Sequence, residues 1–274
     1  MNDSKIIFDS ATLLRSQSVI TIDNSSFKYG YGCFETMRLV NGRIPLAELH
    51  FERLFNSLEV LRFDIPDHLT ARNLLDQSIQ LAIQNQCIDQ SKIRITISRE
   101  FQTTHYIIEA EALSTKNAEL NKDGLVIDIY TKAIKNADIF SHIKSNARLQ
   151  YEITRMWANE KKLDDAIIMN SSGKIVDSTI ANLFIVSGGI IKTPPIEDGC
   201  VSGVMRKYLL RCCRQQGLPI QEVSLSIEDV LQAQEVFLTN AVRGIQWVKQ
   251  VAQSGFQLNT AKLLSQKFIQ PLFI

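Results

Sequence analysis

Apolar and polar residues alternate along Ile20–Asp23 and Cys33–Val40, a period of two that predicts strands. Asn41-Gly42 follows the second of these and predicts a tight hairpin turn before Arg43-Ile-Pro45. From Pro45 to Leu61 the period changes. Leu54, Leu58 and Leu61 recur at helical spacing and define a core face, while His50 and Arg53, three apart, share another. A second helix is expected over Leu69 to Asn85, then two alternating strands at Lys92–Ser98 and His105–Glu111. Ser114 to Gly124 is polar, aperiodic and flanked by strands, so it reads as an interdomain linker. The expected division is a small N-terminal α/β domain over 1–113, a linker over 114–123 and a larger domain over 124–274.

Beyond the linker, Leu125–Tyr130 reads as a strand and Leu149–Lys162 as a helix, with His142-Ile-Lys-Ser-Asn-Ala-Arg-Leu149 leading into it. Asp165–Met169 and Ile175–Asp177 flank a Ser-Ser-Gly turn as a hairpin. Val201 to Gln216 is expected to be helical, stopped by Gly217-Leu-Pro219. Strands at Ile220–Val223, Val236–Thr239 and Ile245–Val251 alternate with a short helix near Ile227–Ala233, and a last helix spans Thr260–Ile269. The fold class is α/β (α+β), with no internal repeat and no low-complexity tract.

Composition removes several function classes. Thirty Lys+Arg against 29 Asp+Glu in 274 residues gives a net charge of +1, which supplies no broad basic field for nucleic acid or an anionic membrane. Cys33, Cys87, Cys200, Cys212 and Cys213 show no CxxC spacing and, with four histidines, outline neither a metal site nor a disulfide framework. The start of the chain lacks the basic and apolar regions of a signal peptide, and no stretch approaches 18 uninterrupted apolar residues. A cytoplasmic protein with reduced thiols is expected.

Taken singly, the candidate residues are bland: Lys144 as a solvated lysine, Arg53 as a surface charge, Asp177 as a carboxylate leaving a strand, and the glycines of Tyr29-Gly-Tyr-Gly-Cys33 as a turn. In combination they resemble the class IV pyridoxal-phosphate (PLP) enzymes, which include branched-chain and D-amino-acid aminotransferases and aminodeoxychorismate lyases. The phrases that carry the resemblance run from about residue 25 to 250. They are Phe27 to Gly42, Leu49-His-Phe-Glu-Arg-Leu54, His142-Ile-Lys-Ser-Asn-Ala-Arg-Leu149, Asp165 to Lys174, Ile175 to Val186, Thr193-Pro-Pro195, Gly203-Val-Met-Arg206 and Leu238-Thr-Asn-Ala-Val-Arg-Gly244.

The resemblance implies a two-domain fold type IV enzyme with a C-terminal pseudo-barrel, PLP held between the domains, and a homodimer acting on a small amino substrate. It implies that Lys144 carries the cofactor and moves protons, and that Arg53 with the backbone of Val204 and Met205 holds the phosphate. Asp177 stands where the family has the carboxylate of the pyridine nitrogen, although Glu is usual there, and Met205 replaces a frequent Thr. Asn240 and Ala241 fall in the last cofactor motif, and Phe34, Arg148, Asn240 and Arg243 are substrate candidates.

Thr103 occupies the place of the carboxylate-binding arginine of D-amino-acid enzymes, and no Gly-Gly-Asn-Tyr phrase follows the lysine as in branched-chain enzymes. Lys144 to Leu149 and Thr239-Asn-Ala241 look more like the lyases, so conversion of 4-amino-4-deoxychorismate to 4-aminobenzoate and pyruvate is the preferred expectation. A branched-chain or D-amino-acid transaminase is the alternative, and a non-catalytic ligand-binding scaffold a third.

Overall fold

The structure, a computed structural model, describes residues 3–18, 20–113 and 119–274, and the chain divides into two compact units. One comprises Met1–Lys116 with Ile143–Ala147, the other Asn117–His142 with Arg148–Ile274. The five residues around Lys144, grouped with the C-terminal domain by sequence order, thus belong to the N-terminal unit. Part of the expected linker, 114–118, lies outside the described residues. Asn121, also in that stretch, is tied into the C-terminal unit by two bonds to the backbone of Trp247, at 2.8 and 2.7 Å.

The N-terminal unit is a five-stranded antiparallel sheet of β1 (Lys5–Phe8), β2 (Ala11–Leu14), β3 (Gly32–Val40), β4 (Gln90–Glu100) and β5 (Thr103–Ala112) in the order β2-β1-β5-β4-β3. β4 shows the expected alternation, with Ile93, Ile95 and Ile97 fully buried between half-exposed Lys92, Arg94 and Thr96. Three helices accompany it: α1 (Ser25–Tyr29), α2 (Ala47–Val60) and α3 (Ala71–Gln84). Phe51, Leu54 and Leu58 of α2 enter the core, each contributing roughly 1.5–3 kcal/mol by burial. α3 is capped by Thr70, whose hydroxyl accepts from Asn73 N.

Two expectations need correction here. Ile20–Asp23 is not a strand: Asn24 caps α1, the chain turns from Thr21 to Asn24, and Ile20 and Ile22 face solvent. Asn41-Gly42 does turn tightly, with φ of 48° and 73°, but Arg43 makes a single bridge to Val40 and β3 pairs with β4 instead.

The C-terminal unit holds β6 (Leu125–Lys135), β7 (Asp165–Asn170), β8 (Ile175–Ser178), β9 (Asn182–Ser187), β10 (Ile190–Thr193), β11 (Ile220–Glu222), β12 (Glu235–Asn240), β13 (Gly244–Val251) and the short β14 (Ser254–Gly255). The order is β11-β10-β9-β12-β13-β6-β7-β8, and β8 also pairs with β9 through Asp177 and Asn182. That last pairing closes β9, β12, β13, β6, β7 and β8 into a barrel, so the expected pseudo-barrel is present. Its core is aliphatic: Ile127, Ile167, Leu183, Ile185, Val236 and Val248 are fully buried.

Helices α4 (Leu149–Glu160), α5 (Val204–Gln215), α6 (Ile227–Leu231) and α7 (Thr260–Leu264) complete the unit. The expected last helix stops being α-helical at Leu264 and continues as a π turn over Ser265–Ile269. Among the described residues no helix is long and apolar enough to cross a membrane.

Candidate active site

In the N-terminal unit, Ile143–Ala147 runs antiparallel to the first residues of β3. Phe34 N donates to Lys144 O at 2.9 Å, Asn146 N donates to Gly32 O at 3.0 Å, and Ser145 stands opposite Cys33. Glycine is required at position 32, where a Cβ would collide with Ile97 O and with the Asn146 amide. These bonds fix the backbone on both sides of Lys144, which does not directly follow a strand, since β6 ends at Lys135. Its ammonium lies 4.8 Å from the centre of the buried Phe34 ring, which also carries the Arg94 guanidinium at 3.8 Å.

One residue after Phe34, Glu35 points its carboxylate at α2. Arg53 donates to it through Nε and Nη2, both at 2.6 Å, and His50 Nδ1 lies 2.8 Å from Oε2. Glu35 and His50 are each 1% exposed. Burial pushes the Glu35 carboxyl up, but the guanidinium and the hydrogen bonds outweigh it and hold it down at about 2. Burial pushes His50 below its ordinary range, against the opposing pull of Glu35, with the charges of Arg53 and Lys144 adding to the fall. The Arg53 side chain is therefore held rigidly as half of a buried ion pair rather than as a surface charge.

In the C-terminal unit, polar groups converge on the closure of the barrel. Asp177 is 2% exposed. Its Oδ2 accepts from Tyr151 Oη at 2.8 Å, Val201 N at 3.0 Å and Lys135 Nζ at 3.2 Å; its Oδ1 accepts from Asn182 Nδ2 at 2.9 Å. Asn182 Nδ2 also donates to Val201 O at 2.8 Å, and across the sheet Asn182 pairs with Thr239. Burial and the neighbouring Asp177 raise the Tyr151 phenol well above its usual range, and the same two causes push the Cys200 thiol up to about 12. Both groups stay protonated at neutral pH.

Gly203 precedes α5 and offers no side-chain cap to its first turn. A Cβ on Gly203 would overlap Asn182 Oδ1, so only glycine fits. Thr239 is 1% exposed and its hydroxyl has no hydrogen-bond partner among the described residues. An uncapped helix start, with the first N–H groups of Val204 and Met205, is a site for an anion, and the orphaned hydroxyl is a further donor of the same kind. This donor set fits a phosphate-bearing cofactor.

The description of the family Amino-transferase class IV matches residues 32–251. The chain belongs to that family. Its members depend on PLP and comprise lyases and transaminases that act on small amino compounds. The aminodeoxychorismate lyase of Vibrio harveyi is 24% identical over 239 residues, covering 84% of this chain and 86% of the relative. The D-alanine aminotransferase of Bacillus licheniformis is 23% identical over 243 residues, covering 86% and 84%. The branched-chain aminotransferase of the thermophilic archaeon Thermoproteus uzoniensis, solved with norvaline, superposes with a TM-score of 0.87 at 21% identity, over 98% of this chain and 95% of the other, a likeness of fold.

The class IV reading thus distributes the expected residues as follows. Lys144, Phe34 and Arg53 lie in the N-terminal unit. Asp177, Val204 and Met205 lie in the C-terminal unit with Asn240, the last residue of β12, and Ala241, which opens the turn after it. Asn240 Oδ1 shapes that turn by accepting from Val242 N and Arg243 N, and Arg243 is exposed. Arg148 stacks over Tyr151 at 4.8 Å and donates to Thr179 O, so its guanidinium serves the surroundings of Asp177. Sequence reasoning did not single out Glu35, Lys135, Tyr151 or Asn182. β6 also carries Asp128 and Lys132, so a lysine at its end gave no local signal for Lys135.

Proposed function

We propose that this class IV enzyme uses PLP to convert 4-amino-4-deoxychorismate to 4-aminobenzoate and pyruvate. Lys144 would hold the cofactor, and its amine would take the proton from the substrate ring carbon while the neighbouring C–O bond breaks, a proton going to the departing enolpyruvyl group, which becomes pyruvate. The PLP ring supplies an electron sink for the pair left behind when that proton is removed. Arg53, kept in place by Glu35, is the phosphate ligand that the N-terminal unit would offer, and Val204 N, Met205 N and the Thr239 hydroxyl are those that the C-terminal unit would offer. Asp177 serves the ring nitrogen. Phe34, beneath the Lys144 ammonium, offers an apolar floor to the substrate, and Asn240 and Arg243 line the approach.

The observation that carries the choice of reaction is a missing arginine. D-amino-acid members of the family trap the substrate carboxylate with an arginine two residues before a histidine. Here Thr103 precedes His105, whose ring is committed to Asp9, and the nearest arginine, Arg99, is paired with Asp64 at 3.2 Å. The turn between β4 and β5 therefore offers no carboxylate trap, which speaks against a D-amino-acid transaminase, and the Lys144–Leu149 and Thr239–Ala241 phrases favour the lyase over a branched-chain one. A homodimer in the cytoplasm belongs to the same proposal, and sizing chromatography with light scattering checks the assembly.

The test is an assay of the purified, PLP-loaded protein with aminodeoxychorismate beside a panel of amino donors with 2-oxoglutarate. Release of 4-aminobenzoate and pyruvate without amino transfer is expected. Amino transfer without 4-aminobenzoate would make it a transaminase, and failure to take up PLP would make it a binding scaffold.

A further inference from the structure

Asp177 has a basic partner that the family phrases do not contain. Lys135 is the last residue of β6 and is 6% exposed. It reaches the barrel closure because β6 is irregular: the β6–β7 register runs regularly to the Ile129–Ile167 pair, then resumes at Ile134–Met169 and Lys135–Asn170. Extra residues in one strand re-aim the side chains beyond them. The Lys135 ammonium ends 3.2 Å from Asp177 Oδ2 and 5.3 Å from the centre of the Tyr151 ring. Among the described residues Oδ2 thereby has three donors, while Oδ1 has the Asn182 amide alone.

We propose that Lys135 is a positioning residue that sets the proton occupancy of the cofactor's ring nitrogen, by compensating the charge of the carboxylate that serves it. This rests on the reading above that Asp177 serves that nitrogen.

A carboxylate favours a protonated neighbour through its uncompensated negative charge. A buried cation on one of its oxygens removes much of that charge, and little solvent is present to screen the effect. Asp177 can still accept a bond through Oδ1, but it attracts a proton less than a lone carboxylate would. Lys135 cannot carry the cofactor while it holds this carboxylate, because the carbon that bonds an amine lies across the ring from the nitrogen. Its influence is exerted by charge.

The experiment uses holoenzyme reconstituted with PLP labelled with 15N in the ring, and reads the nitrogen resonance at neutral pH. The wild-type resonance is expected to fall short of the pyridinium position. Lys135→Gln, which keeps a donor and removes the charge, should move it toward pyridinium. The ratio of protonated to unprotonated nitrogen should rise about tenfold or more, the scale of one charge-assisted hydrogen bond. Lys135→Arg, which keeps the charge, should stay near the wild type.

A Lys135→Gln resonance that does not move would overturn the proposal. So would a wild-type resonance already at the pyridinium position, a result that needs no variant to fold. Wild-type protein that takes up no PLP would overturn the proposed function and this inference with it, whereas uptake with an unmoved resonance overturns the inference alone.

Discussion

Arg53→Ala gives the most informative perturbation of the N-terminal unit, because the residue is both a proposed phosphate ligand and half of a buried ion pair. The substitution removes two donors at 2.6 Å from Glu35 and leaves that carboxylate, 1% exposed, with only His50 beside it. Removing one partner of a buried pair costs about 3–5 kcal/mol. An independent route gives a similar size. The depression of the Glu35 carboxyl to about 2 from an ordinary 4.5 corresponds to about 3 kcal/mol for the whole set of contacts, which Arg53 shares with His50 and which is already net of burial.

The sign with pH follows. A depressed carboxyl contributes its stability above pH 4.5, and the contribution is lost as pH falls toward 2. His50, buried and depressed, also loses stability as pH falls through its ordinary 6.5. Wild-type apoprotein is therefore expected to weaken on acidification. In Arg53→Ala, Glu35 turns to His50 for its charge and the affinity of His50 for a proton rises, so this variant should gain stability between pH 8 and pH 6. Both tryptophans lie in the C-terminal unit, so the assay is amide hydrogen exchange of β3 and α2 in apoprotein, with urea unfolding followed by circular dichroism. A loss below about 1 kcal/mol at pH 7, or the wild-type pH slope in the variant, would refute the reasoning. Glu35→Gln with Arg53→Met should recover much of the loss.

Arg53→Ala should further weaken PLP binding by about 10- to 150-fold, the worth of a charge-assisted bond, as read by cofactor titration at a pH where the variant is folded. Asp177→Asn strands the buried Lys135 ammonium and should cost the apoprotein about 3–5 kcal/mol by tryptophan-monitored urea unfolding. Adding Lys135→Met should restore most of that loss, and an unaltered midpoint in the single variant would sink the ion-pair assignment. In holoenzyme, Asp177→Glu restores the residue usual in the family and should retain activity at least in part, whereas Asp177→Asn should slow turnover on the order of 100-fold. Gly203→Ala forces a Cβ onto Asn182 Oδ1 and should displace the amide that bonds Asp177, with loss of PLP affinity read by absorbance titration. An unchanged titration would remove this helix start from the cofactor site.

Much of the secondary structure was legible because it is written locally. The isoleucines of β4 and the leucines of α2 and α3 declare their faces by spacing alone. The misses have local causes too. Lys5-Ile-Ile-Phe8 and Ala11-Thr-Leu-Leu14 are too short to show a period, and they become strands only by pairing on the edge beside β5. Ile20-Thr-Ile-Asp23 does alternate, but Asn24 captures the chain for α1 and no partner strand is offered. The candidate site divides in the same way. Lys144, Arg53 and Asp177 were found because family phrases surround them. The groups that bond them were not, since Asp177 draws its partners from positions 135, 151, 182 and 201, and Lys144 is fixed by β3 more than a hundred residues earlier. Contacts of that kind leave no periodic mark in a sequence.

The central claim is that Lys144 carries the cofactor, and borohydride reduction of the PLP-loaded protein followed by peptide mass spectrometry tests it most directly. The phosphopyridoxyl mass should fall on the peptide containing Ile143-Lys-Ser145 and vanish in Lys144→Ala, which should still fold. A label on Lys135 or any other lysine, or no label in protein that has bound PLP, would contradict the account.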